Sequence, residues 1–174
     1  MEVIIEIIKF TIPALVVFFT SFILLNAYLK NDIKKRELAS KEANQKTLLP
    51  LRLQAYERLA LFLERISPNN LIHRVRKQDI SARDFHLALL NSIRVEFEHN
   101  LSQQIYISSE TWEFIKGVKE EMIRIVNQAS MKLPKNASGS DLSKSIFEIL
   151  ITSEKMVPTQ AALNVLKNEV SKLY

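Results

Sequence analysis

The residues with the clearest chemical potential lie in "SIRVEFEHNLSQQ", Ser92 to Gln104. Arg94 and His99 are separated by four residues, the spacing of the arginine and histidine in a group of helical ribonucleases, where they would act on a phosphodiester. Glu96 and His99 form a Glu-x-x-His, the spacing of a carboxylate–imidazole metal site. Helical geometry weighs against both. At about 100° per residue, Arg94 and His99 project about 140° apart, so one regular helix cannot bring them to one phosphate without a bend, a helix end or a second subunit. Glu96 and His99 are neighbours on a helix surface, but a di-iron bundle needs two such pairs and two further glutamates. His73 and His86 are preceded at the third position by Asn70 and Arg83, so no second pair exists. The cluster of Arg94, Glu96, His99 and Asn100 is therefore expected to be polar structure near a helix end. Asn100 falls on the apolar face, where a carboxamide must find partners, and it should tie the helix end to "LSQQIYIS". His86 is read as a satisfied imidazole and Trp112 as core or interface aromatic. No catalytic, cofactor-binding or metal-binding residue, and no cofactor, is expected.

The composition narrows the elements that could position any site. The 174 residues contain two glycines, Gly117 and Gly139, and no cysteine. Hairpins and phosphate loops need glycine, so β-rich and dinucleotide-binding folds are disfavoured. Without cysteine there are no disulfides, thiol catalysis or Cys-based zinc sites.

Phe10 to Leu29, "FTIPALVVFFTSFILLNAYL", contains no charged residue. As a helix these twenty residues reach about 30 Å, the thickness of the hydrocarbon core of a bilayer. The run is longer than the roughly 7–15 apolar residues of a signal peptide and lacks a small-x-small cleavage site. It also lacks the polar face of a soluble helix. Before it stands one basic residue, Lys9; after it come Lys30, Lys34, Lys35, Arg36, Lys41 and Lys46. Basic residues stay on the cytoplasmic side. The N-terminus is thus expected outside and the C-terminal part in the cytoplasm, with Lys30, Lys34, Lys35 and Arg36 against anionic lipid. Those lysines also account for much of the net charge of +5 without invoking nucleic acid.

Residues 30–48 contain good helix formers, no glycine or proline, and sparse apolar positions, the pattern of a solvated stalk that continues the membrane helix. Residues 49–174 read as a helical domain. Pro50 is expected to open a helix with Ala55, Tyr56, Leu59, Phe62, Leu63 and Ile66 on one face, and Pro68 to end it. A basic segment, "NNLIHRVRKQD", follows. Ser81, with Asp84 three residues on, should cap a helix that runs to about Leu101. Ser108 or Ser109 should cap the next, with a stripe of Ile115, Val118, Met122, Ile125, Val126 and Ala129. After "LPKNASGS", Asp141 starts another helix, although "SIFEILIT" alone could be a buried strand. Pro158 opens the last, with Thr159, Ala162, Leu163, Leu166, Val170 and Leu173 on one side. The fold class is all-α: a membrane helix (1–29 with its tip), a stalk, and a bundle of about five or six helices. Two Asn-x-Ser sequons, at Asn100 and Asn136, carry no sugar if they face the cytoplasm.

The stretches "LPLRLQAYERLALFLERISP" and "FEHNLSQQIYIS…W" resemble an uncharacterised family of Bacteroidota membrane proteins. The resemblance implies a single N-terminal span, an inner-membrane location and a helical cytoplasmic domain of unknown function. It supplies no activity or catalytic residue. The expected role is a membrane-anchored interaction or scaffold module, a subunit or adaptor of an inner-membrane complex, contacting lipid and either a protein partner or another copy of itself. Leu53, Ala60 and Leu61 lie off the main apolar face of their helix and mark the candidate interface. The alternatives are a membrane-tethered ribonuclease using Arg94 and His99, or a nucleic-acid module using Arg74, Arg76 and Lys77. Nucleic acid is the less expected partner.

Overall fold

A computed structural model describes residues 2–153 and 156–173, with side chains described outside residues 2–14, 41, 42, 44 and 173. The expectations for Lys41, Leu173 and the apolar side chains of residues 10–14 lie outside those described. The chain is all-α, with no strand among the described residues and one isolated bridge, Ser81 to Ser138. Its helices are α1 (Glu2–Arg65), α2 (Pro68–Val75), α3 (Ala82–Glu98), α4 (Ser109–Met131), α5 (Gly139–Thr152) and α6 (Pro158–Val170). Short 3-10 turns cover Leu101–Ile105 and Ser171–Leu173. Contacts divide the chain into two compact units, Met1–Leu49 and Pro50–Tyr174.

In the first unit every residue from Leu15 to Leu29 is exposed, Leu24 by 70%. Among the described residues one helix is long and apolar enough to cross a membrane, and none of its apolar window is buried. Within this stretch the Thr20 hydroxyl donates to the carbonyls of Val16 (2.9 Å) and Val17 (3.0 Å). Past the apolar stretch Lys30, Lys34 and Lys35 are exposed, and the Arg36 guanidinium pairs with Asp32 at 3.0 Å.

The second unit is built around α4, which packs against α3, α5 and α6, while α3 also meets α2 and α5. The expected stripe of α4, from Ile115 to Ala129, is buried, as is the face of α1 from Ala55 to Ile66. An aromatic chain joins three helices: Phe62 of α1 lies 5.9 Å from Phe97 of α3, which stacks on Trp112 of α4 at 5.3 Å. The Lys119 ammonium sits 4.6 Å from the Phe97 ring centre, a cation–π contact.

Four local expectations change. Pro50 opens no helix: helical backbone runs through it within α1. Its φ suits a helix, and what is lost is one amide donor to the carbonyl four residues earlier. Pro68 does more than end a helix, because it occupies the first turn of α2, and the basic segment "NNLIHRV" is a helix that buries Leu71 and Ile72. The third helix stops at Glu98 and continues as a 3-10 turn rather than reaching Leu101. Asp141 is the third residue of α5, with Ser138 as its cap; each bonds the other's backbone, a full capping box, and "SIFEILIT" is helical.

The N-termini of α3 and α5 lie side by side. Ala82 N–H donates to Ala137 O at 3.0 Å and Gly139 N–H to Ile80 O at 2.8 Å. This approach requires a glycine: a Cβ on Gly139 would stand 2.6 Å from Ile80 Cγ2.

Candidate functional site

Glu96 lies on the face of α3 turned toward α1 and α2, and its side chain is 14% exposed. A carboxylate so placed needs compensating charge. It receives it on one oxygen, Oε1, from Arg65 at 2.8 Å and Arg74 at 3.0 Å. Arg74 donates further to Ser92 Oγ (3.0 Å) and to the Arg65 carbonyl (3.3 Å), which fixes the end of α1 to α2 and α3. Glu96 is thus committed as a three-helix clamp.

His99 caps the C-terminus of α3 through its backbone. Its imidazole is exposed and has no hydrogen bond or ion pair among the described residues. It lines a cleft of about 440 Å³ with Arg58, Leu61, Phe62, Arg65, Glu96 and Asn100. Arg94, exposed on α3, does not line this cleft. The arginines that share it with His99 are Arg58 and Arg65 of α1. Asn100 is buried, and its Nδ2 donates to the Glu96 carbonyl at 2.8 Å while its own carbonyl accepts from Gln103 N–H at 3.0 Å. It closes the end of α3 and starts the 3-10 turn. His86 Nε2 lies 2.7 Å from Asn127 Oδ1 of α4, a satisfied imidazole. Among the described residues no group of three or more His, Cys, Asp or Glu side chains could hold a metal ion.

The interface candidates separate. Leu53 and Ala60, seven apart and hence on one face, line a groove of about 390 Å³ with Leu163, Leu166 and Val170 of α6, rimmed by Glu57 and Lys167. Leu61, 56% exposed, lies about 100° around α1 and lines the His99 cleft instead.

One polar site has no counterpart in the sequence reading. Arg52 donates to Tyr106 O and to the Tyr56 hydroxyl, both at 3.1 Å, and Tyr56 donates to Glu169 Oε1 at 2.8 Å. Ser108, the cap of α4, donates its N–H to Oε1 and its hydroxyl to Oε2, each at 2.8 Å. Burial pushes the Glu169 carboxyl up, but hydrogen bonds from Thr111, Ser108 and Tyr56 outweigh it and hold the group below the usual carboxylate range. The Tyr56 phenol is raised, by burial first and then by its bond to Glu169. The anion sits at a helix N-terminus, where the dipole favours it. The one signal in the sequence is Arg52 one turn before Tyr56; Glu169 is 113 residues from Tyr56.

A family model described as a family of unknown function (DUF7935) matches residues 2–173. No curated protein and no solved structure matches the chain.

Proposed function

The chain belongs to the DUF7935 family of unknown function, and on that premise we propose that it is a single-span inner-membrane protein of bacteria whose helical unit docks a protein partner in the cytoplasm. The apolar stretch to Leu29 is the anchor. The basic run Lys30, Lys34, Lys35 and Arg36 then sets the orientation and lies on anionic lipid. The observation that carries docking is the aliphatic groove between α1 and α6. Walls of Leu, Ala and Val side chains leave a groove that takes side chains from the apolar face of a third, amphipathic helix, and Glu57 and Lys167 at the rim offer it one charge of each sign. The occupant proposed is an amphipathic helix of another membrane-associated protein, for which the span supplies a high local concentration.

Photo-crosslinking in native membranes tests this reading. A photoreactive residue at Leu53 is expected to give one discrete adduct, absent when the probe is moved to exposed Lys132 and lost on adding Ala60→Glu. An adduct pattern identical at Leu53 and Lys132, with the protein folded and abundant, contradicts the reading.

A further inference from the structure

The cleft on the other side of α1 has a charge balance that the fold does not use. Three guanidinium groups, Arg58, Arg65 and Arg74, gather near one carboxylate, Glu96. The C-termini of α1 and α3 add roughly half a negative charge each, and Arg65 and Arg74 sit where cations normally offset such ends. Arg58 does not. It stands about two turns before the end of α1 and has no hydrogen bond or ion pair among the described residues. The opposite wall carries His99, whose imidazole is equally unengaged, and the floor is Phe62 with exposed Leu61 at the lip. Arg65 spends its contact to Glu96 through one terminal nitrogen, which leaves most of its five N–H groups for another acceptor.

We propose that this cleft binds a phosphate group, held by Arg58 and Arg65 from one wall and by His99 from the other. One bidentate arginine satisfies a planar carboxylate; two arginines on one wall and an imidazole on the other offer more donors than a planar anion takes, which suits a tetrahedral one. The adjoining Leu61 and Phe62 accommodate an apolar portion of the molecule that carries the phosphate. That phosphate belongs either to an anionic lipid headgroup or to a soluble phosphate compound. The chemistry is the same, and the site lies on a different face of α1 from the Leu53–Ala60 groove, so it stands or falls independently of partner docking.

The test uses the full chain in nanodiscs and calorimetric titration with inorganic phosphate at low chloride. In discs of zwitterionic lipid, saturable binding is expected. Arg58→Gln should weaken it about tenfold or more, and His99→Gln should weaken it less. Lys132→Gln, at an exposed lysine outside the cleft, should leave it unchanged. In discs containing phosphatidic acid, loss of phosphate binding by the wild type assigns the site to the headgroup; undiminished binding assigns it to a soluble compound. Absence of saturable binding in zwitterionic discs overturns the proposal. So does binding of equal strength in wild type and Arg58→Gln, with matching circular dichroism; because Arg58 is exposed and unbonded, its loss does not unfold the chain.

Discussion

Glu169 shows how much one residue can organise without doing chemistry. Its carboxylate gathers the cap of α4, the phenol of Tyr56 and, through that phenol, Arg52. Glu169→Gln keeps the shape but removes the charge from several charge-assisted bonds, and should cost about 1–2 kcal/mol in urea unfolding. Because the folded pKa is depressed below an unfolded value near 4.3, the stability contributed is present above that pH. It is lost as the pH falls through the folded value. The wild-type advantage over Glu169→Gln should therefore shrink between about pH 4.5 and more acidic conditions; a constant difference would remove the charge from the explanation. A similar contrast separates the neighbours of the opening motif. Glu96→Ala leaves two arginines around a missing carboxylate and should cost about 2 kcal/mol, whereas exposed His99→Ala should stay within about 0.5 kcal/mol. Equal losses at both positions would mean that His99 holds the fold together. Glu96 could be placed near a helix face from sequence, but its partners could not. Arg65 reaches it from the end of α1, but Arg74 does so only because α2 forms, and α2 was hidden behind the reading of Pro68 as a stop.

At the scale of elements, apolar periodicity and capping residues were the legible signals. The stripes of α1 and α4 are buried as their spacing implies, and Ser81 and Ser108 cap as expected because their hydroxyls accept from the third residue of each helix. What the sequence hid was non-local. Whether proline opens, ends or sits inside a helix depends on its flanks and on what packs around it: Pro50 is exposed between leucines inside α1, and Pro68 is buried behind Ser67 at the start of α2. The two glycines make the same point. Gly117 is exposed on α4 with no atom within 4 Å of an added Cβ, so Gly117→Ala should stabilise by about 0.5–1 kcal/mol through backbone entropy. Gly139 is helical too, yet Gly139→Ala must push Ile80 aside and should destabilise by about 1–3 kcal/mol. Thermal unfolding of both variants checks the pair; a gain at Gly139 would show that α3 and α5 do not approach as described.

At the scale of the whole molecule, an apolar exposed stretch and a folded helical unit are two compact parts of one chain, and the proposed role depends on which side of a membrane the second lies. The basic residues that follow Leu29 and the near absence of basic residues before Phe10 argue for the cytoplasm. Docking through the α1–α6 groove and phosphate capture near His99 both need that compartment's proteins and anions. The most direct measurement is a dual topology reporter fused after Tyr174, read in intact cells of a bacterial host. Fluorescence from a cytoplasm-active reporter, with an inactive alkaline phosphatase fused at the same point, is the result predicted. Active phosphatase with no fluorescence would place the helical unit outside, expose the sequons at Asn100 and Asn136, and contradict the account.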